Sequence, residues 1–144
     1  MTDGTMQATN DSGTAAPVLF TRIDTVFLPV RDVSRAAAWY RDTLGLGLLW
    51  EQPGVACLKM GETPLTLLQH RFPGVLEPGP EDGEFRPLSD LSFNFYAPDI
   101  EASHAGLRER GVQVTEIVDS PGVRWFTAWD LDGNRFGACW WPQE

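Results

Sequence analysis

Few side chains in this chain have the chemistry to make or break bonds, and none of them fall into a working set. The 144 residues include two histidines, His70 and His104, and two cysteines, Cys57 and Cys139. A serine, threonine or cysteine nucleophile needs a base within hydrogen-bond reach. No Gly-x-Ser-x-Gly elbow supplies one, and no glycine-rich loop is built to cradle a phosphate. Glu51 and Glu62 could act as bases only if a loop carried one of them to a substrate. The run Asp130-Leu131-Asp132-Gly133-Asn134 faintly resembles a calcium loop, but the position that needs a bidentate Glu falls at Trp141. That run suits a tight strand connection better.

Aromatic and neutral polar residues are the richer resource, with six tryptophans and eight phenylalanines. Strand alternation places Phe27 on one face with Thr25, and Asn94 and Tyr96 on the matching face with Ser92. Trp125, Thr127 and Trp129 share a parity on a later strand, and Trp50 borders the same space. Aromatic walls with a few hydrogen-bonding groups suit a planar organic ligand, and cation–π contact would suit a positively charged one. Phe93, Phe95, Phe126 and Phe136 have the opposite parity and read as core. Trp39 and Tyr40 fall on a helix and also read as core.

These residues sit on a repeated unit. Thr25-Val26-Phe27-Leu28-Pro29-Val30-Arg31-Asp32-Val33 is echoed by Ser92-Phe93-Asn94-Phe95-Tyr96-Ala97-Pro98-Asp99-Ile100, an offset of 67 residues from Thr25 to Ser92. In both copies an alternating apolar strand leads to an Asp that can cap a helix, and a glycine, Gly45 or Gly111, follows where the helix should stop. The first copy predicts a strand over 23–30, a helix with an apolar stripe of Val33, Ala36, Ala37, Tyr40 and Leu44, and strands over 46–51, 55–60 and 65–69. The second restarts at Leu91, with Ile100 and Leu107 on the buried stripe and strands over 112–118, 124–129 and 135–141. His104 edges the helix–sheet interface. Proline and glycine dominate 70–90, which reads as the loop joining the copies. The expected organisation is a disordered tail over 1–19, then a single α+β domain over 20–144. Its two βαβββ modules, about 22–69 and 91–141, enclose a cleft between curved sheets.

Val30-Arg31-Asp32-Val33, the run Ala38-Trp39-Tyr40-Arg41-Asp42-Thr43-Leu44-Gly45-Leu46 and the closing Asp130-Leu131-Asp132-Gly133-Asn134 together resemble the vicinal oxygen chelate superfamily. That superfamily holds glyoxalase I, the extradiol dioxygenases and the bleomycin-resistance proteins. The resemblance spans roughly residues 22–141 and implies four metal ligands at inward positions on the first and last strand of each module. Carried over, those positions are Thr25, Gln69, Ser92 and Gly137. Metal binding favours carboxylates, imidazoles and thiolates. Two hydroxyls, an amide and a glycine offer none, so no metal and no cofactor is expected. In character the chain is nearest the metal-free bleomycin-resistance branch. Relatives commonly pair modules across a two-fold axis, so a homodimer is expected as well, its exposed sheet edges paired or covered.

Composition narrows the partners. The formal charge of −9, with Lys59 the single lysine, argues against nucleic acid and would attract cationic small molecules. No segment approaches the ~20 apolar residues of a membrane span, and the N-terminus lacks a secretory signal, so a cytoplasmic protein is expected. Two cysteines do not make a disulfide framework. The reading is a metal-independent protein that sequesters an aromatic or cationic organic compound through Thr25, Phe27, Trp50, Gln69, Ser92, Asn94, Tyr96, Trp125, Trp129 and Gly137. A metal-independent lyase, isomerase or hydrolase acting on a small polar substrate is the alternative, and a ligand-sensing module a third. No catalytic residue stands out.

Overall fold

A computed structural model describes residues 17–72, 85–90 and 93–143. Residues 1–16 of the tail expected over 1–19, and most of the joining loop, lie outside the described residues. The first module runs β1 (Val26–Val30), α1 (Val33–Leu44), β2 (Gly47–Gln52), β3 (Val55–Lys59) and β4 (Leu65–Gln69). The second runs β5 (Asn94–Tyr96), α2 (Ile100–Glu109), β6 (Val118–Ser120), β7 (Val123–Trp129) and β8 (Arg135–Trp140). Each module forms a four-stranded mixed sheet, in the order β1-β4-β3-β2 and β5-β8-β7-β6. The first strand of each is parallel to the last, and the other pairs are antiparallel. The architecture is the expected α+β duplication.

The caps form as their residues dictate. Asp32 accepts from the Arg35 backbone N–H at 3.0 Å, and Asp99 does the same for Ala102 at 3.0 Å. Gly45 adopts φ 79°, which lets its N–H reach the Arg41 carbonyl while Leu46 N–H reaches Tyr40. The apolar stripe of α1 (Val33, Ala36, Ala37 and Tyr40) is buried against its sheet with Leu28, Val30, Leu58, Leu65 and Leu67. Ile100, His104 and Leu107 do the same for α2, over Phe126, Phe136 and Ala138.

Two strand expectations need correction. The first strand begins at Val26 rather than Ile23, and Ile23 is exposed. Its neighbour among the described residues, β4, starts at Leu65 behind Pro64, so pairing ends where Val26 N–H meets the Pro64 carbonyl. The strand expected over 112–118 is broken. Gln113 and Thr115 hydrogen-bond to β7, but the Thr127 N–H is taken by the Thr115 hydroxyl at 2.9 Å instead of a backbone carbonyl. Val114 is left as an isolated bridge to Ala128, and regular pairing resumes only at Val118.

The modules are joined by a buried polar bolt. Tyr40, fully buried on α1, donates its phenol proton to Asp130 Oδ2 at 2.7 Å. Asp130 Oδ1 accepts from the Asp132 and Asn134 backbones, and Asn134 Nδ2 donates both to Asp130 and to the Pro29 carbonyl at 2.9 Å. Asp132 accepts from the Arg31 backbone N–H at 3.0 Å. The Asp130–Asn134 turn is therefore the structural connection expected of it, and it also fastens the second module to β1 and α1 of the first. Trp39, Leu44, Phe93 and Phe95 pack against both cores beside it.

Candidate functional site

Helices cover one face of each sheet and leave the other open. Strand register shows which residues share the open faces. In the first sheet Phe27 lies beside Thr66, Thr66 beside Cys57, and Cys57 beside Trp50, giving one row across four strands. The β2–β3 pairing slips between Leu48 and Trp50, a bulge that turns Trp50 to the face opposite Leu48. In the second sheet Tyr96, Cys139, Trp125 and Val118 form one row, and Asn94, Gly137 and Thr127 the next. Trp129 stands across from Arg135 on the same face. Register thus brings Phe27 and Trp50 together on one open face, and Asn94, Tyr96, Trp125, Trp129 and Gly137 on the other.

The open faces carry large aromatic surfaces. Phe27 is 52% exposed, Trp50 46%, Tyr96 38% and Trp125 36%. Tyr96 is held in place by donating its hydroxyl to the Trp141 carbonyl at 2.9 Å. Two recesses of about 390 and 400 Å³ meet the second open face through Tyr96. One opens between α2 and the first module, lined by Leu44, Phe95 and Gly106; the other meets the ends of β1 and β5, and includes Asn94 and Tyr96. Neither is lined by Phe27, Trp50 or Trp125, which stand on the open sheet surfaces.

Gln69 is not where the sequence placed it. It pairs with Val30 on the helix side of the sheet, on the parity of Leu65 and Leu67. Its amide oxygen accepts from the Val33 N–H at 3.1 Å and its amide nitrogen donates to the Arg31 carbonyl, which ties β4 to the start of α1. The residue that register sets in the place of Gly137 is Thr66, because Thr66 pairs with Phe27 as Gly137 pairs with Asn94. Thr25 Oγ1 donates to the Pro64 carbonyl at 2.9 Å and lies 2.6 Å from Thr66 Oγ1. Ser92 lies outside the described residues. Two mutually bonded hydroxyls and a glycine do not suit a metal. Among the described residues no three His, Cys, Asp or Glu come together in a way that could hold one.

Of the histidines, His104 lies on the helix side of its sheet, and His70 follows β4 on the parity of Thr66 and Leu68. His104 is buried beside Phe126 with Nε2 2.7 Å from the Thr115 carbonyl, and His70 meets Phe85 edge-on. Cys57 and Cys139 are free thiols, each in the middle of an open face. No described helix is long and apolar enough to cross a membrane.

Duplicated βαβββ modules, each with a helix-covered and an open sheet face, point to one family, and the match of its sequence model over residues 22–137 decides the matter. The chain belongs to the Glyoxalase/Bleomycin resistance protein/Dioxygenase superfamily. Several solved structures share its fold. TnmS3, an antibiotic binding protein from Streptomyces sp. CB03234, is 26% identical with a TM-score of 0.70, over 88% of this chain and 100% of that one. A glyoxalase/bleomycin resistance protein from the same organism is 28% identical with a TM-score of 0.63, over 81% and 98%. TioX from Micromonospora sp. ML1, at 19% identity and a TM-score of 0.70 over 85% and 100%, shows the likeness in fold alone. No curated protein sequence matches the chain.

Proposed function

We propose that this superfamily member binds and sequesters a planar aromatic organic compound, such as an antibiotic or related secondary metabolite, without a metal ion. The observation that carries the reading is the pair of aromatic open faces, Phe27 with Trp50 and Tyr96 with Trp125 and Trp129, beside the positions (Thr25, Thr66 and Gly137) that offer no carboxylate, imidazole or thiolate to an ion. The likeness to TnmS3, itself an antibiotic binding protein, supports it. A lyase, isomerase or hydrolase working without metal needs an acid and a base facing its substrate. The strand positions of the open faces present no imidazole and no carboxylate, which favours binding over turnover.

A second copy of the chain closes the site in this reading. Exposed aromatic patches of this kind mark interaction surfaces, and among the described residues β1 and β5 each pair on one side only. Free Cys57 and Cys139 fit a reducing cytoplasm. Native mass spectrometry of the purified protein tests the proposal directly. A dimer that carries organic ligand, or takes up polycyclic aromatic natural products from a panel without converting them, is expected. Turnover of any panel member without added metal would replace the binding reading with the enzymatic one.

A further inference from the structure

The charges of the strands are sorted by face, and the sorting opposes the net charge of the chain. In the first sheet Lys59 alone is charged among the open-face positions of β1, β2, β3 and β4. In the second sheet Arg135 alone is charged among the open-face positions of β5, β6, β7 and β8. The two strand carboxylates point the other way. Glu51 accepts from the Ser34 hydroxyl of α1 at 2.6 Å, and Asp119 pairs with Arg124, which also reaches Glu101 of α2 at 3.0 Å. A chain of charge −9 thus keeps its strand carboxylates off the faces that carry its aromatic rows, and places a cation on each.

Arg135 is also under-used by the protein itself. Among the described residues it has no ion-pair partner. One guanidinium nitrogen makes a 3.4 Å contact with the Ser89 carbonyl, and among the described residues its buried Nε has no hydrogen-bond partner. Buried donors are nearly always satisfied, so a donor left open beside Trp129 has the chemistry of an incomplete site. A guanidinium fork prefers a planar acceptor such as a carboxylate, and it stacks on aromatic faces.

We infer that the aromatic ligand carries an anionic or strongly electron-rich oxygen group, a carboxylate or an ionised phenol, and that Arg135 and Lys59 recognise it. This replaces the expectation of a cationic ligand drawn from overall charge, and it rests on the binding function proposed above. Arg135 is the principal determinant, because it stands across from Trp129 and two residues from Gly137 on the face that also carries Trp125. Lys59 marks the corresponding end of the other sheet.

Three probes of one ring system test it: naphthoate, naphthamide and naphthyltrimethylammonium, titrated into the whole protein by calorimetry at low ionic strength. Naphthoate should bind about tenfold tighter than the cationic probe, as a charge-assisted hydrogen bond in a partly desolvated site requires, with naphthamide between them. Arg135→Gln should bring naphthoate down to the affinity of naphthamide and leave naphthamide within about twofold, while Arg135→Lys should keep part of the preference. Lys59→Gln, at an exposed position, should lower the same ratio and guards against a folding defect in the Arg135 variants. If the cationic probe binds as tightly as naphthoate, or the ratio survives the Arg135→Gln, Lys59→Gln double change, the inference fails while aromatic binding stands. If none of the three binds, the proposed function fails and the charge preference falls with it.

Discussion

Replacing Tyr40 with phenylalanine removes a single oxygen atom from the joint between the modules and should cost the protein dearly. The phenol donates to Asp130 Oδ2 at 2.7 Å, and the same oxygen keeps only the Asn134 amide at 3.0 Å once the phenol is gone. A hydrogen bond to a charged group contributes about 1.5–3 kcal/mol, and Asp130 stays buried after the change, so a loss of ~2 kcal/mol is expected. With a urea m-value of about 2 kcal/mol/M, the unfolding midpoint should fall by ~1 M. The pH dependence supplies an independent check. Burial, and then the charge and hydrogen bond of Asp130, raise the Tyr40 phenol well above its ordinary value of 10.0. A group whose folded pKa is raised contributes stability that is fully present below the unfolded pKa and is lost as pH rises beyond it. As pH rises through 10 the wild-type protein should therefore lose stability that the Tyr40→Phe variant does not. Every other titrating group is common to both proteins and cancels in the difference. The gap between them should narrow steadily above pH 10. A variant that unfolds within 0.2 M of wild type, or a gap that stays constant with pH, would refute the bolt as a stabilising element.

Further outcomes follow from the same geometry. Trp125→Ala with Trp129→Ala should weaken binding of an aromatic ligand by roughly 1 kcal/mol or more, with phenylalanine milder at either site; unchanged quenching titrations with a folded double variant would remove these residues from the site. Gln69→Ala should cost about 1 kcal/mol in denaturant unfolding, because it unfastens the start of α1, with no effect on ligand affinity. Light scattering at micromolar concentration should give about twice the 16.0 kDa chain mass, and a monomer mass would reject the dimer. Elemental analysis after chelator treatment should find no stoichiometric zinc, iron, nickel or manganese.

The duplication, both helix caps and most open-face residues were legible because they rest on strong local signals. Asp32 and Gly45 bracket α1 with residue types that do little else, and the alternation in Val26-Phe27-Leu28 fixes a parity. Gln69 was misplaced because β4 offers no such alternation. Leu65, Leu67 and Leu68 are all buried, since a strand paired on both sides with packed faces can be apolar throughout. Only Thr66 hinted at the open side. Thr115 capturing the Thr127 N–H is a side-chain event that no periodicity encodes. The significance of Arg135 and Lys59 emerged only with the register, because a charge balance has no direction until the faces are known.

The bolt also has a bearing on the order in which the chain acquires its structure. Tyr40, Arg31 and Pro29 wait on partners 90, 101 and 105 residues further along. Within either module the sheet and helix can condense from nearer contacts, but this joint cannot exist until both are formed. Contacts of such separation are made slowly, and until then a phenol and two backbone groups destined for burial face water. The joint therefore belongs to the late side of the folding barrier. Weakening it should quicken unfolding far more than it slows folding, which gives Tyr40 and the Asp130–Asn134 turn control over how long the native state lasts.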